Sequence, residues 1–441
     1  MNSFWHYLIH LAAFAGGVTV LTILKRRNAP WAVRAVTASI MSMVMAVFIF
    51  RISEPPQLFA DFYKAYYPAA KALFAANPND GLSATMREGA GGFVNLPVLA
   101  WLFAPFGKLP TPAAGYAFMT LGVAAIVATW YLLTRLAGLD RDRALLLLFV
   151  FACFGPLHNS LREGNTTHFV LLLIVSGLWA LRRERGFLAG LLIGFAALVK
   201  LPLLLLGVYF AAHGRWRVAM GGATVCVIAA ILSIALFGWD LHVYWYENSI
   251  KPFAKTPMAA FNVQSVQGFL ARLDHGGRYL LDWTPHAVNP MVHLASQLAV
   301  ALMMLSAAFV MFRPRRWRRG PLLEAPASTV IELEVCIVTL LAMMISMVSW
   351  SHYFLWMLLP AAFLIAGNPS ALAAGRLRIF SLVALILAMP PVLKVFTIDP
   401  ILSRVYCYLA VSHYLIGAAL LFVVLLVADW RTRPVGSEPT E

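Results

Sequence analysis

Residues 285 to 312, "PHAVNPMVHLASQLAVALMMLSAAFVMF", contain no Lys, Arg, Asp or Glu. Apolar side chains surround this helix instead of striping one face, and the run exceeds the about 20 residues needed to cross a hydrocarbon core. An aqueous globular helix of this length would carry a charged face. Several similar runs recur, and the 441-residue chain is 61% hydrophobic with 12% charged residues. The expected fold is an all-α polytopic membrane domain covering residues 1–441, with lipid bilayer as its solvent.

The formal net charge of +15 could suggest a nucleic-acid partner. The Lys and Arg residues instead sit in short clusters between apolar runs, as the positive-inside rule expects of cytoplasmic turns. No nucleic acid is therefore expected. Cys153, Cys226, Cys336 and Cys407 lie in or beside apolar runs without CxxC spacing, so they read as packing residues. No DxD or HExxH sequence occurs, and neither a metal nor another cofactor is expected.

The N-terminal run "MNSFWHYLIHLAAFAGGVTVLTILKRR" has its charges after the apolar core and lacks a basic leading segment. It reads as a retained first helix with its N-terminus external. With "KRR" at 25–27 cytoplasmic, a second helix at 33–52 runs outward, and the clusters "RLAGLDRDR", "RRERG", "GRWR", "RPRRWRRG", "GRLR" and "RTR" all return to one side. Keeping them there requires about 13 transmembrane helices. External loops then fall at 53–111, 158–167, 239–287, 349–353 and 394–406, and residues 431–441 form a disordered cytoplasmic tail.

Two apolar stretches do not read as simple crossings. "NLPVLAWLFAPFGKLP" at 95–110 holds Pro97, Pro105 and Pro110 and is short, so it is expected as a juxtamembrane helix within the first external loop. "GFAALVKLPLLLLG" around Lys200 reads as two short helices broken at Pro202.

Sorted by this topology, polar residues gather on the external side. Asp61, Tyr63, Lys64, Tyr66 and Tyr67 open the first loop; "HNSLREGNTTH" supplies His158, Arg162, Glu163, Asn165 and His168; "FNVQSVQGFLAR" and "SWSHYFLW" follow, the latter with Trp350 and His352. Ionisable groups at lipid depth are costly, so several on one face point to a functional site. Bland readings stand beside each: the Tyr and Trp residues as interfacial anchors, Lys200 as a snorkelling cation, His352 as a packed core histidine, and Arg162 with Glu163 as an interfacial ion pair. Asp61 resists such a reading, because a carboxylate just past a helix end among aromatic rings is placed to take a proton from a bound hydroxyl. With nearby cations to stabilise a departing phosphate, the set suits sugar transfer from a lipid phosphate.

The segments "DFYKAYYPAAKAL", "FVNLPVLAWLFAPFGKLP", "LREGNTTHFVLLL", "GFAALVKLPLLLL", "NVQSVQGFLAR" and "SWSHYFLWMLLP" occur in this order along the chain. In that order they resemble glycosyltransferase family 87 of the GT-C superfamily, which includes polyprenyl-phosphate-mannose-dependent mannosyltransferases and related arabinofuranosyltransferases. The resemblance implies a GT-C transmembrane fold in the inner (plasma) membrane, a monomer whose active site faces the exterior or periplasm. It implies Asp61 as catalytic base, with Lys200 and His352 in polar roles. Lys200, His352 and Arg162 are then expected at the donor phosphate. Tyr63, Tyr66, Tyr67, Asn165, His168, Asn262, Gln264, Ser265 and Trp350 are expected around the substrates.

The chain departs from the family pattern in three places. Val263 interrupts an Asn-Gln-Ser element, Asn165 stands where a Gln is expected, and Tyr353 stands where many members carry a second histidine. The implied reaction is an inverting, metal-independent transfer of mannose from a β-linked polyprenyl-phosphate sugar to a glycolipid, polysaccharide or protein hydroxyl. A transferase of another sugar, such as arabinofuranose, and a lipid-linked sugar transporter are the competing readings. The second is disfavoured by polar groups clustered at one face and by the lack of a repeat.

Overall fold

The computed structural model describes residues 3–53, 57–313, 323–325, 327–372, 375–392, 405–406 and 408–434. Helix α1 (Ser3–Arg26) and α2 (Trp31–Ile52) form the N-terminal pair. A single π-helical turn (Phe62–Tyr66) leads into α3 (Tyr67–Ala72), α4 (Pro78–Met86), a 3₁₀ segment (Pro97–Leu102) and α5 (Ala104–Gly107). The bundle continues with α6 (Thr111–Leu136), α7 (Arg141–Cys153), α8 (Gly155–Glu163), α9 (Thr167–Arg182), α10 (Gly186–Val199) and α11 (Leu204–Ala212). Next come α12 (Trp216–Trp245), α13 (Lys251–Lys255), α14 (Val266–His275) and α15 (Pro290–Phe312). Last are α16 (Ala327–Ile345), α17 (Leu358–Ala366), α18 (Gly375–Ala388) and α19 (His413–Trp430).

The protein is an all-α, multi-pass membrane protein. Among the described residues, seven helices are long and apolar enough to span a bilayer, and eight if the α7–α8 pair, bent by 54°, counts as one. The expected 13 crossings are not confirmed, because several apolar segments are broken and short. Pro156, with no N–H, follows the α7–α8 break, and the freed Gly155 N–H donates to Met389 O at 2.6 Å. The second break falls at Lys200 between α10 and α11, and a third lies between α16 and the 3₁₀ segment Ser351–Met357. Irregular backbone at membrane depth is tolerated where it is enclosed by protein or lines a cavity. All three breaks lie in or beside the segments that carry the site residues.

Expectation and structure differ in detail elsewhere. Residues 95–110 are two short helical pieces, as their prolines dictate. The stretch 239–287 starts as helix: α12 is broken by a kink at Gly238, whose φ of 74° only glycine adopts without strain, and the aromatic "WDLHVYW" after the kink is helical again. Residues 158–163 are the end of α8 instead of loop. Within the expected tail, Thr432–Pro434 forms a short strand parallel to Leu323–Ala325, while 435–441 lies outside the described residues. So does most of 394–406.

Two apolar clusters organise the interior. One joins α7, α8, α9, α16, α17 and α19; the other packs Phe59, Phe62, Tyr66, Phe93, Phe103 and Phe118 with the α12 residues Phe237 and Leu241. Helices α10 and α12 approach through small residues: a Cβ on Gly190 would meet Val218 O at 2.0 Å, and one on Gly194 would meet Gly222 Cα at 2.6 Å. This is the small-residue packing on which helices in lipid rely, since lipid tails supply no hydrophobic drive between them.

Beyond α12, the chain is pinned by Arg272, which is 0% exposed. Its Nη1 donates to Ala260 O (2.9 Å) and Val263 O (2.7 Å), and its Nη2 to Ser412 Oγ (3.0 Å), so α14 is tied to the 258–263 loop and to the start of α19. Arg272→Met retains the stem and leaves two buried carbonyls without this donor, each worth about 1–3 kcal/mol. A drop of several degrees in the melting temperature of the detergent-solubilised protein is expected, checked by differential scanning fluorimetry; an unchanged melt would count against this role.

Candidate active site

Asp61 is set by the way its segment docks on α8. Phe59 N–H donates to Arg162 O at 2.7 Å, and the left-handed Gly164 (φ 67°) lies so close that an added Cβ would meet Phe62 Cβ at 2.7 Å. Glycine is thus required at the end of α8 on both conformational and steric grounds. This contact brings Asp61 beside Glu163. Phe62 stacks on Phe118 with ring centroids 4.8 Å apart, and Tyr66 on Phe103 at 4.5 Å, which holds the turn rigid behind the carboxylate.

Asn165 orients Asp61 directly. Its Oδ1 accepts from Thr167 N (3.2 Å) and Thr167 Oγ1 (2.7 Å) at the start of α9. The amide nitrogen must then face the other way, and Nδ2 donates to Asp61 Oδ2 at 2.6 Å. The shorter amide in the expected Gln place therefore still reaches the carboxylate.

Lys200 and His352 complete the cluster. Lys200 caps α10 in extended conformation, is 7% exposed, and holds its Nζ 4.7 Å from the centre of the Tyr353 ring. Asp61 and Glu163 are the carboxylates that act on it. His352 is 3% exposed, and its Nδ1 lies 2.5 Å from Glu163 Oε2. The contact is one of distance alone, and neither ring nitrogen has a hydrogen-bond partner among the described residues. Asp61, Glu163 and His352 each offer a ligand atom within 4.8 Å of the other two. Two carboxylates this close in a poorly solvated site require a shared proton or a nearby cation.

Asp61 lies outside the spanning helices, and its titration reflects this setting. Desolvation raises its carboxyl to about 6 and Glu163 pushes the same way, while His352, the Asn165 hydrogen bond and Lys200 pull it down. A carboxylate poised near neutrality is suited to accept a proton in a transition state.

The other residues expected around the substrates occupy a range of positions. Tyr66 faces the cluster, with Asp61, Tyr353 and Glu163 among its neighbours. Tyr63 and Tyr67 donate their hydroxyls to Thr111 O (3.0 Å) and Leu109 O (2.8 Å), fastening the π turn to the start of α6. His168 places Nδ1 3.0 Å from Ser160 Oγ and its ring against Phe169. Arg162 points from α8 toward α2, where Nη1 donates to Phe50 O at 2.8 Å and the guanidinium lies over the Phe50 ring.

Asn262, Gln264, Ser265 and Trp350 build one support. Gln264 N donates to Ser349 O (2.6 Å) and Ser351 N to Asn262 O (2.7 Å), so the two segments pair antiparallel around Val263 and Trp350 just before His352. Asn262 Oδ1 accepts from Trp283 Nε1 (2.8 Å), and Ser265 Oγ caps α14 by accepting from Gly268 N (3.0 Å). Gln264 Nε2 donates to Phe261 O (2.9 Å) and Val411 O (2.7 Å). The inserted Val263 is the residue that closes this pairing.

Neither Glu163 nor Tyr353 is given a catalytic, phosphate or substrate role from sequence, although Glu163 is among the polar residues gathered on the external side. Glu163 follows Arg162 in the chain and reads there as its ion-pair partner, yet successive helical residues point about 100° apart. The left-handed glycine after it is the signal that this carboxylate ends a helix at the site.

The match to the glycosyltransferase family 87 model covers residues 93–346. The chain is 28% identical over 284 residues to a polyprenol-phosphate-mannose-dependent alpha-(1-2)-phosphatidylinositol mannoside mannosyltransferase of Mycolicibacterium smegmatis, an alignment spanning 60% of each chain. It is 24% identical over 339 residues to a polyprenol-phosphate-mannose-dependent alpha-(1-2)-phosphatidylinositol pentamannoside mannosyltransferase of the same organism, covering 76% of this chain and 75% of that one. An alpha-(1->3)-arabinofuranosyltransferase of Mycobacterium tuberculosis is 32% identical over 143 residues, 31% of this chain and 32% of its own length. With the matched region spanning more than half of its length, the chain belongs to glycosyltransferase family 87.

Proposed function

We propose that the protein transfers mannose from a polyprenyl-phosphate mannose to a hydroxyl of a glycolipid at the external face of the inner membrane. The observation that carries this reading is Asp61, held by Asn165 and faced by Lys200 and His352, at the junction of the broken helices of a family 87 chain. In this reading the acceptor hydroxyl loses its proton to Asp61 and attacks the anomeric carbon. The bond to the phosphate breaks, and polyprenyl phosphate leaves with the electron pair. Lys200 and His352 receive the phosphate, and inversion converts a β-linked donor to an α-mannoside.

Mannose is favoured over arabinofuranose because the mannosyltransferase relatives align over 60% and 76% of this chain and the arabinofuranosyltransferase over 31%. A phosphatidylinositol mannoside is the first acceptor to test. The basic clusters support an external N-terminus, an external site and a cytoplasmic C-terminus.

Purified protein in liposomes, supplied with labelled polyprenyl-phosphate mannose and a phosphatidylinositol mannoside, is expected to form a new mannolipid detectable by thin-layer chromatography and mass spectrometry. Label that only changes leaflet would instead identify a transporter. Transfer to a supplied polysaccharide or peptide alone would move the acceptor class.

The rate should also depend on pH with a definite sign. The base must be ionised, so with the Asp61 carboxyl near 6, kcat/KM is expected to fall about tenfold per unit below that point. A steady-state rate profile checks this, and a flat acid limb would remove Asp61 as the titrating base.

A further inference from the structure

Lys200 ends α10 with its ammonium buried but uncommitted. The residue is 7% exposed, and among the described residues its Nζ makes no hydrogen bond and no ion pair. Asp61 and Glu163 attract it from beyond ion-pairing distance. What it does meet is Tyr353, whose ring centre lies 4.7 Å from Nζ. An ammonium taken out of water without acceptors is costly, and the negative face of an aromatic ring offsets part of that cost, most of all where both groups are desolvated. Such a contact still leaves the ammonium's three N–H groups able to bond the oxygens of a ligand.

The ring is itself held from behind. Tyr353 is 8% exposed and stacks on Trp356, with centroids 5.2 Å apart and planes 23° from parallel. Trp356 is fully buried and directs Nε1 to Thr167 O at 3.4 Å. Thr167 also holds Asn165, which in turn holds Asp61, so the ring beside the cation and the amide on the carboxylate are both fastened to the start of α9. Tyr353 stands at one of the three positions where the chain departs from the family pattern. We propose that Tyr353 is a positioning residue for the donor phosphate: its ring holds the Lys200 ammonium by a cation–π contact, clear of the Asp61 carboxylate, with the N–H groups left for the phosphate oxygens of the lipid-linked sugar. The inference rests on the transferase reading above. A lysine paired directly with Asp61 would be partly neutralised there and would occupy the oxygens that must take the acceptor's proton.

Tyr353→Phe and Tyr353→Leu test the inference in the liposome assay, with the wild type run alongside. The Tyr353 hydroxyl bonds to no described residue, so Tyr353→Phe keeps the ring face and is expected to hold the donor KM within about threefold of wild type. Tyr353→Leu keeps an apolar side chain but removes the ring face. It is expected to raise the donor KM about tenfold, the size of a desolvated cation–π contact, and to leave the acceptor KM within about twofold. Placed on top of Lys200→Met, Tyr353→Leu is expected to change the donor KM by less than about twofold, because two residues that act through one contact are not additive. Phenylalanine with one, two or three ring fluorines at position 353 keeps the shape while weakening the negative face, and the donor KM is expected to rise with each fluorine.

A packing role would lower the melting temperature and give the same loss with Lys200 present or replaced, and that outcome overturns the proposal. A wild-type donor KM in Tyr353→Leu overturns it too, as do equal losses in Tyr353→Phe and Tyr353→Leu, which would assign the effect to the hydroxyl. Should Tyr353→Leu fail to fold, the fluorinated series decides alone, and a flat series overturns the proposal. If wild type itself forms no mannolipid, the transferase reading fails and takes this inference with it; if wild type transfers mannose and the Tyr353 variants keep its donor KM, only this inference fails.

Discussion

Asp61→Asn is expected to lower kcat by ~10²–10⁴-fold, the range that removal of a general base produces, while the protein still folds and inserts. The amide is the same size as the carboxylate, and the aromatic turn behind it is untouched: Phe62 still packs on Phe118 and Tyr66 on Phe103. The linkage sign supports intact folding. Burial raises the folded-state carboxyl from 3.8 to about 6, so the stability contributed by the protonated form is present at low pH and lost as pH rises through about 6. At neutral pH the ionised Asp61 is a net cost that asparagine removes. A melting temperature at or above that of wild type, measured beside the lost turnover, separates the loss of a base from the loss of a fold. Wild-type turnover in the variant would remove the mechanism.

Lys200→Met is expected to have the second largest effect, with kcat/KM for the donor falling ~10²–10³-fold, as when a preorganised charge or hydrogen-bond donor is deleted from an acyl- or phosphoryl-transfer site. Methionine preserves the apolar stem against Tyr353, so packing changes little and the charge is what is lost. Because Lys200 holds the Asp61 carboxyl down, its removal also shifts the acid limb of the rate profile to higher pH. Steady-state kinetics in liposomes measures both effects at once. A lysine that only snorkels to the interface would leave both unchanged.

The membrane class and the break at Lys200 are legible because both follow from local chemistry: an uncharged run such as 285–312 has no other solvent than lipid, and Pro202 cannot continue a helix. The number of crossings is less legible. Residues 144–157, between a basic turn and a polar loop, read as apolar in sequence, whereas the bend at Phe154 is accompanied by a bond from Gly155 N–H to Met389 O, a contact between residues far apart in the chain. The same holds within the site. Asp61, Asn165, Lys200 and His352 could be named from residue type and motif order, whereas Arg162 and Glu163, adjacent and oppositely charged in sequence, are sorted only by the face of α8 on which each projects. One reaches Phe50 and the other reaches His352.

Asn262, Gln264 and Ser265 show the converse. Their order along the chain marks them as a motif, yet each is held within the protein: by Trp283, by the Phe261 and Val411 carbonyls, and as the cap of α14. They place His352 by pairing its backbone neighbours.

Asp61 and Glu163 offer oxygens within 4.8 Å of each other. Sugar-cleaving enzymes that retain configuration separate their carboxyls by about 5–5.5 Å and use one as a nucleophile, so spacing alone does not separate a base from a nucleophile at Asp61. The anomeric configuration of the product does. With a β-linked polyprenyl-phosphate mannose as sole donor, the one-bond carbon–proton coupling at the new anomeric centre should report an α-mannoside, formed by single displacement with Asp61 as base. A β-mannoside would contradict this, because retention requires a second displacement through a covalent sugar on the enzyme.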